Sequence, residues 1–346
     1  MYSIRSKLES IYKSESLPSV LKLDRMLSSV LKTLKNEDTS YRFPSKTSKP
    51  GSLVSFSDAL PVIIVPDLHA RSYFFKHILD FKLPESLFDD FPEKRQRKPL
   101  TVLDALEQKT IRVLCLGDAL HSEARGKLRW YEAETDFMNG KSCGQAMTSE
   151  MKEGLTLIQM IIECKCRFPE HFHFLRGNHE NILNERKNGN MPFIKYSHEG
   201  KMVTSFMLEK YGRKLAEKYA EFEYALPLVF RTRDFIATHA EPLTAYSEEQ
   251  LINACNDSET AFGLIWTAND ESFPGTVESM LKSLLPQNPD AVWFSGHRPV
   301  LSGSYKTRCN GRLFQLHNPE EENIAIVKSG RKFNPATDIY SVKAEE

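Results

Sequence analysis

The amino-acid sequence predicts a layered α/β domain, and two observations support this prediction. Five short apolar runs have the length of strands, and each ends at or beside a polar residue. They cover residues 61–67, 111–118, 172–178, 234–240 and 291–297. Helix-like segments lie between them, at Tyr73–Leu79, Met151–Cys166 and Met202–Phe222. This alternation is typical of a sheet covered by helices, in which the polar ends of the strands meet at one edge.

The N-terminal part of the chain has a different pattern. Apolar residues recur at helical spacing through residues 1 to about 35, with a turn signal at Ser16–Ser19, which predicts two helices. The polar stretch Asn36–Ser52 is typical of a linker or a wrapped arm. We therefore divide the chain into a helical leader with linker (1–55), a main domain (56–335) and a C-terminal tail (336–346).

Two insertions, at about 84–110 and 127–148, interrupt the main domain. The first carries the basic cluster Lys94–Lys98, which we interpret as a solvated face because it is too short to indicate a nucleic-acid interface in a neutral protein. The second is rich in Glu, Gly and Thr and is a candidate lid.

Composition excludes several classes of function. Forty-six Lys plus Arg residues balance forty-six Asp plus Glu residues, so no net field attracts nucleic acid or an anionic membrane surface. The six cysteines form neither a CxxC clip nor a disulfide framework, and we expect reduced thiols. The charged N-terminus lacks the apolar run of a signal peptide, and no stretch reaches the ~20 apolar residues of a membrane span. We therefore expect a soluble, cytoplasmic protein.

Polar residues after the first two predicted strands are candidate metal ligands. Asp67 and His69 place a carboxylate and an imidazole two residues apart, so both can reach one cation from a loop. Asp118 follows Gly117, where glycine lets the backbone turn close to a ligand. The two carboxylate oxygens of Asp118 suit a position between two ions.

The third strand precedes the sharpest local motif, Gly177-Asn178-His179-Glu180. The amide oxygen of Asn178 is a hard neutral ligand, and His179 can carry a proton near neutral pH. His239 and His297 follow the fourth and fifth strands. A lone histidine is more often structural, but five such motifs in order are hard to attribute to core packing. We interpret them as one metal site.

At these five motifs, over about residues 60–330, the chain resembles the calcineurin-like metallophosphoesterase superfamily. The Arg-Gly-Asn-His-Glu form of residues 176–180 is similar to the branch that contains phosphoprotein phosphatases and symmetrical dinucleoside tetraphosphatases. The resemblance implies a four-layer α/β sandwich of two packed β-sheets flanked by helices, here with an N-terminal helical extension.

The resemblance also implies two metal ions that share one bridging carboxylate. The first would be bound by Asp67, His69 and Asp118, and the second by Asp118, Asn178, His239 and His297. A metal-bridging hydroxide would attack the phosphate, and His179 would act as the general acid that protonates the leaving group.

The chain departs from this branch at the residues that bind phosphate. The branch reads GDxVDRG, in which the second aspartate orients the catalytic histidine and the arginine binds phosphate. Here His121 and Ser122 occupy those positions, and Ala70 replaces the glycine of the family's DxHG loop. Either Glu123 or Glu180 orients His179, or His179 is a weaker acid in this chain.

Several residues are candidates for contact with the substrate. Arg125 is the first candidate for the missing phosphate contact, although it can equally begin a solvated helix. The remaining candidates are Arg71, Arg176, Arg298, His121 and His317, and the alternative for His317 is a buried structural role.

These residues predict a phosphomonoesterase that acts on a Ser/Thr phosphoprotein or a small phosphorylated metabolite. Arg298 and Pro299 stand where diesterases carry a second histidine, which favours monoesters. The alternatives are a dinucleoside polyphosphate or phosphodiester hydrolase and, in another class, a catalytically weak metal-bound scaffold. We expect two divalent metal ions, manganese first, with iron, zinc, nickel or cobalt also compatible. A protein partner would bind the N-terminal helices or the insertions.

Overall fold

The computed structural model describes residues 3–47, 49–88 and 99–343. Its strands are β1 (Arg42–Pro44), β2 (Pro50–Ser55), β3 (Val62–Val65), β4 (Arg112–Cys115), β5 (Phe172–Phe174), β6 (Val229–Arg231), β7 (Phe235–Thr238), β8 (Val292–Ser295), β9 (Lys306–Arg308), β10 (Leu313–Gln315), β11 (Asn323–Val327) and β12 (Ile339–Ser341). They form a five-stranded sheet of order β12-β11-β3-β4-β5 and a seven-stranded sheet of order β1-β2-β6-β7-β8-β10-β9. The five predicted strands are confirmed as β3, β4, β5, β7 and β8.

The described helices are α1 (Ile4–Tyr12), α2 (Val20–Lys35), α3 (Ser72–Asp80), α4 (Val102–Glu107), α5 (Lys127–Met138), α6 (Gln145–Arg167), α7 (Glu199–Tyr211), α8 (Arg213–Ala225), α9 (Glu248–Asn253), α10 (Ser258–Ile265), α11 (Thr276–Leu284) and α12 (Pro335–Asp338). The predicted helices at Tyr73–Leu79 and Met151–Cys166 correspond to α3 and α6. The predicted helix at Met202–Phe222 is two helices, because Gly212 separates α7 from α8 with a φ of 78° that glycine adopts readily.

The two sheets pack face to face, and helices cover their outer faces. Along β3, Ile64 lies in the apolar core between the sheets, whereas Ile63 packs with the helices. Along β7, Phe235 lies in that same central core, whereas Ile236 packs with the helices on the opposite side. This alternation follows from the two-residue period of a strand. The molecule is a four-layer α/β sandwich, which confirms the predicted fold class.

Parallel strands bring one end of each sheet to a common edge. In the first sheet β3, β4 and β5 are parallel, and the register pairs Val65 with Cys115 and Cys115 with Phe174. In the second sheet β7, β8 and β10 are parallel, and Ser295 pairs with Gln315. The loops that follow these six strands therefore meet above the central core, where ligands gather in open α/β sheets.

The N-terminal helices share the core of the main domain. Leu8 of α1 and Leu27 of α2 are buried in the apolar cluster that also contains residues of α6 and α8. Asn36–Ser52, which we predicted as a linker or a wrapped arm, contains β1 and the first residues of β2, and β2 pairs with β6. Residues 339–341, which we predicted as part of a tail, form β12 beside β11.

The two predicted insertions have different outcomes. Residues 127–148, the candidate lid, contain α5 and the start of α6, and Trp130 of α5 is fully buried. The basic cluster Lys94–Lys98 lies outside the described residues. The six cysteines are unpaired thiols. Among the described helices, none has the length and apolar character needed to cross a membrane.

Candidate metal centre

The six predicted ligands converge at the edge where the parallel strands of both sheets end. Each follows a strand, and all except His297 are buried. They are Asp67 and His69 after β3, Asp118 after β4, Asn178 after β5, His239 after β7 and His297 after β8. The strand register therefore places the candidate ligands of both sheets in one region.

The loops hold non-glycine residues in left-handed backbone conformations. The φ angle is 43° at His69, 59° at Ala70, 54° at Asp118 and 62° at His297. Each such residue costs about 1–2 kcal/mol relative to an ordinary conformation, and such residues concentrate at functional sites. Ala70 adopts the conformation that explains why the resembled family usually has glycine there.

Carboxylate and imidazole atoms face each other at distances that a shared cation would explain. Nε2 of His69 lies 3.6 Å from Oδ2 of Asp118, and Nε2 of His239 lies 3.4 Å from the same oxygen. Within the described parts of the chain, three groups have ligand atoms within 4.8 Å of one another: Asp67, Asp118 and His239; Asp67, His69 and His317; and His69, His121 and His179. Asp118 thus lies between His69 and His239, as a bridging ligand would.

Backbone carbonyl groups orient two of these imidazoles. Nδ1 of His69 lies 3.1 Å from the carbonyl oxygen of His121, and Nδ1 of His239 lies 2.9 Å from that of Leu116. Because a carbonyl oxygen only accepts, each Nδ1 carries a proton, and the neutral ring directs the Nε2 lone pair into the site. Nε2 of His239 then faces Oδ1 of Asn178 at 3.0 Å. A cation between these two acceptors would satisfy both.

Burial and mutual repulsion oppose ionisation of the carboxyl groups at this site when no cation is bound. Burial raises the pKa of Asp118 well above its usual range, and the nearby carboxylates of Glu180 and Asp67 raise it further. Burial also lowers the pKa of His69 and of His239, which favours the neutral form that binds metal. Oδ1 of Asp67 is buried and has no hydrogen-bond partner among the described residues. A cation would satisfy this oxygen, so the residues fit a metal site.

Glu180 connects the loops after β4 and β5. Its carboxylate accepts the backbone N–H groups of Gly177 at 2.7 Å, Ala119 at 2.8 Å and Asp118 at 2.9 Å. Burial raises the pKa of Glu180 to about 7, against the effect of these three donors. The side chain is therefore a structural clamp and has no hydrogen bond to His179.

Two glycines allow the close approach of ligand carboxylates. A Cβ atom at Gly177 would overlap Oδ1 of Asp118, and a Cβ atom at Gly296 would overlap Oδ1 of Asp67. The glycine of each motif is therefore required by packing against a candidate ligand.

Aromatic packing orients His179, the predicted general acid. Its ring stacks on His121 with centroids 4.9 Å apart, and Phe193 packs edge-on at 4.6 Å. Nε2 lies 4.0 Å from Oδ2 of Asp118, while Nδ1 has no hydrogen-bond partner in the described chain. Neither Glu123 nor Glu180 hydrogen-bonds to Nδ1 of His179. Burial and the neighbouring His121 lower the pKa of His179 well below its ordinary value, which accords with the alternative that His179 is a weaker acid in this chain.

His121 is buried and packs directly behind His179. Its other face stacks on Trp130 at 4.9 Å, and its Nε2 lies 3.6 Å from a carboxylate oxygen of Glu199. Despite burial, which raises it, the pKa of Glu199 falls to about 2 because His121 and three backbone N–H groups stabilise the carboxylate. His121 therefore packs between the candidate acid and Trp130, beside the buried Glu199 carboxylate, at the position where the resembled branch has an aspartate.

The candidate phosphate-binding arginines differ in how they are engaged. Arg71 is buried and donates to the carbonyl oxygens of Asp67, Leu68 and Pro319. Arg125 forms an ion pair with Glu153 at 2.7 Å. These contacts give Arg71 a structural role and direct Arg125 towards α6.

Two further arginines were candidates. Arg176 is fully buried and donates to the carbonyl oxygen of Asn188 at 2.7 Å. Arg298 is exposed and directly follows His297. Its position beside the site leaves it the best placed of the four to meet an anion.

Glu123 and His317 contact each other and His69 in a way that the sequence does not predict. Glu123 adopts a left-handed φ of 53°, and Oε1 lies 3.5 Å from Nε2 of His69. Its other oxygen, Oε2, lies 3.2 Å from Nε2 of His317, which is fully buried. Lys195 approaches Oε1 at 3.2 Å from the surface. No spacing rule signals this arrangement, because its members are far apart in the chain and Glu123 replaces a glycine.

Comparison with known proteins supports the fold. No protein-family model matches the chain, and no curated protein matches its sequence. Among solved structures, the chain is similar to a protein serine/threonine phosphatase from Saccharomyces cerevisiae with similarity to human phosphatase PP5. The two are 14% identical with a TM-score of 0.57, and the match covers 99% of this chain and 96% of that one. This likeness shows the calcineurin-like phosphatase fold.

Two more distant structures also match. A cold-active protein-tyrosine phosphatase from a psychrophilic Shewanella is 9% identical with a TM-score of 0.44, and the match covers 84% of this chain and 82% of that one. A candidate diadenosine tetraphosphatase is 13% identical with a TM-score of 0.37, and the match covers 84% of this chain and 97% of that one.

Proposed function

We propose that the chain is a dinuclear metal-dependent phosphoesterase of the calcineurin-like superfamily that hydrolyses phosphomonoesters. The observation that carries this proposal is the position of the Asp118 carboxylate, 3.6 Å from His69 and 3.4 Å from His239, where it would bridge two ions. Asp67 and His69 would complete the first metal position, and Asn178, His239 and His297 the second. Two such ions, when bound, polarise a phosphate ester and lower the pKa of a water molecule.

The protein side chains then have distinct roles. His179 would deliver a proton to the leaving oxygen, since it lies beside Asp118 without being among the six ligands. His121 and Phe193 would hold its ring at the required angle through packing. His121 is thus a positioning residue.

Phosphate recognition would depend on Arg298. It adjoins a candidate ligand and is exposed, whereas Arg71 and Arg125 are engaged with backbone oxygens and with Glu153. A guanidinium group can bind two phosphate oxygens at once. Arg298→Ala should raise the Michaelis constant for a phosphomonoester, whereas Arg125→Ala should leave it unchanged. The reverse result would assign the contact to Arg125.

Manganese is the proposed activating ion, because carboxylate-rich mixed N/O sites accept it, although iron, zinc, nickel and cobalt also fit such ligands. The six unpaired cysteines favour a reducing compartment, and we propose the cytoplasm. The substrate is proposed to be a Ser/Thr phosphoprotein or a small phosphorylated metabolite.

The decisive experiment combines metal analysis with a substrate panel. Protein purified without oxygen would be analysed for metal and assayed, with manganese, on p-nitrophenyl phosphate, a phosphopeptide, bis-p-nitrophenyl phosphate and diadenosine tetraphosphate. We expect two ions per chain, hydrolysis of the monoesters, and loss of activity in Asp118→Asn. Preference for diadenosine tetraphosphate would instead identify a dinucleoside polyphosphate hydrolase. A chain that binds two metals but hydrolyses none of the four would be a scaffold, and the proposal would fail.

A further inference from the structure

Glu123 and His317 form a second layer of potential ligands directly beside His69. The first proposed metal position contains only three protein ligands, Asp67, His69 and Asp118. Beside these lie a carboxylate and an imidazole that the proposed function leaves without a role. His317 is fully buried, and its Nδ1 has no hydrogen-bond partner among the described residues.

The backbone at position 123 indicates that the carboxylate is held there for a reason. A φ of 53° is unfavourable for glutamate and would suit the glycine found at this position in the resembled branch. The conformation sends the side chain inward, where it is buried rather than solvated. Strain of this kind persists only where the surrounding contacts compensate for it.

Asp67, His69 and His317 have ligand atoms within 4.8 Å of one another, and the Glu123 carboxylate lies beside both histidines. Two atoms that each lie about 2.1 Å from a metal are at most about 4.2 Å apart. Nε2 of His69 lies 3.5 Å from Oε1 of Glu123 and 4.0 Å from Oδ2 of Asp67. Nε2 of His317 lies 3.2 Å from Oε2 of Glu123. Each of these pairs is therefore close enough to share a cation.

The charge of Glu123 gives an independent reason to expect a cation beside it. The negative charge of Glu123 would repel an anionic substrate at a position where the resembled branch carries an arginine nearby. Lys195 reaches Glu123 at 3.2 Å, but its side chain is 40% exposed, so its charge is partly screened by solvent. A cation bound directly to Glu123 would neutralise it where the substrate binds.

We propose that Glu123 and His317 are additional protein ligands of the first metal position, which would then have five: Asp67, His69, Asp118, Glu123 and His317. This inference rests on the proposed function. Three carboxylates and two imidazoles leave one place of an octahedral ion for water or substrate, whereas the second position has only four protein ligands. The two positions should therefore differ in affinity, with the first one binding more tightly.

Titration of the metal-free full-length protein with Co²⁺ tests this proposal, using calorimetry and visible absorption, since both report ligation without an assay of activity. We expect two equivalents with unlike affinities in the wild type. His317→Gln and Glu123→Gln should weaken the tight phase by at least roughly tenfold and change its absorption spectrum. His297→Gln should affect the weak phase, and His77→Ala, in a helix away from the site, should match the wild type.

A variant that failed to fold would also lose metal affinity, so the test includes a substitution that suits the backbone at position 123. Glu123→Gly removes the carboxylate while suiting the backbone conformation, so it should fold and still lose affinity in the tight phase. Wild-type affinities and spectra in both His317→Gln and Glu123→Gly would overturn the inference while leaving the two-metal proposal intact. If the wild type binds no Co²⁺, both this inference and the proposed function fail. That outcome is visible in the wild-type titration alone, before any variant is compared.

Discussion

The carboxylate of Glu180 accepts the backbone N–H of Asp118 at 2.9 Å and so connects the loops after β4 and β5. The same side chain accepts the N–H groups of Ala119 and Gly177. One buried residue thereby sets the distance between the proposed bridging ligand and the Asn178 loop. The geometry of the candidate metal centre would therefore depend on a residue that binds neither metal nor substrate.

Replacement of Glu180 by glutamine should weaken both stability and metal binding. A glutamine offers one acceptor oxygen in place of two and turns an NH₂ group towards a backbone donor, which should cost roughly 1–3 kcal/mol. Urea unfolding of the metal-free protein would measure this loss, and Co²⁺ titration the loss of affinity. Glu221→Gln, on an exposed face of α8, is the matched control and should leave both quantities unchanged. Equal behaviour of the two variants would show that the clamp is dispensable.

The sequence predicts the central strands and the six proposed ligands because both depend on local signals. Each strand is a short apolar run, and each proposed ligand follows one directly. The edge strands are harder to predict. Pro50–Ser55 contains proline, glycine and two serines, which are poor strand signals, yet Leu53 and Val54 are buried because this strand pairs with the distant β6. Pairing with a distant strand therefore makes this segment a strand, although its local composition does not predict one.

The contacts of Glu123 could not be predicted for a related reason. Its carboxylate meets His69 and His317, which are separated from it by long stretches of chain and belong to loops of different sheets. The inward direction comes from a left-handed φ that the sequence gives no reason to expect of glutamate. Similarly, His121 stacks on His179, whereas the aspartate at this position in the resembled branch orients the catalytic histidine. No residue spacing predicts such a stacking contact.

Asp118→Asn should stabilise the metal-free protein and destabilise the metal-bound protein. Without metal, burial and the neighbouring carboxylates raise the pKa of Asp118, so its ionised form opposes folding near neutral pH. Asparagine removes that charge, and its side-chain oxygen can still accept the N–H of His179, which now lies 2.9 Å from Oδ1. The chelated variant should therefore melt at a higher temperature than the chelated wild type.

With manganese in excess, the wild type should melt at the higher temperature. Ion binding stabilises the native state, and the wild type, which keeps all six proposed ligands, should gain more from it than the variant. Thermal unfolding of both proteins, with chelator and with manganese, gives the four values needed. An Asp118→Asn variant that is less stable than the wild type under both conditions would contradict the assignment of Asp118 as a ligand in an electrostatically strained site.

The N-terminal segment should depend on a buried ion-pair cluster. Glu37, between α2 and β1, contacts Arg42 and Lys165, and all three side chains are almost fully buried. Removing one partner from such a cluster typically costs about 3–5 kcal/mol, since the remaining charges lose their compensation. Glu37→Gln should therefore lower the free energy of unfolding strongly, whereas the exposed Glu15→Gln should not.

The same cluster predicts a dependence on pH. Burial tends to raise the pKa of Glu37, but Lys165 and Arg42 outweigh it and hold the pKa below the ordinary value of 4.5. A carboxyl group with a lowered folded-state pKa contributes stability that is complete above its unfolded pKa and is lost as pH falls through the folded one. The difference between wild type and Glu37→Gln should be constant above about pH 5.5 and shrink at lower pH. A difference that grows on acidification would contradict this sign.

His179→Asn should reveal general-acid catalysis through its dependence on the leaving group. A positioned proton donor contributes about 10²–10⁴-fold, and the benefit is largest when the leaving alkoxide is a strong base. The variant should lose far more turnover on a phosphoserine peptide than on p-nitrophenyl phosphate, whose leaving group needs little protonation. His198→Asn is the matched control, because His198 is half-exposed and pairs with Glu134. Equal losses on both substrates, with Co²⁺ binding intact, would assign His179 to substrate positioning instead of proton transfer.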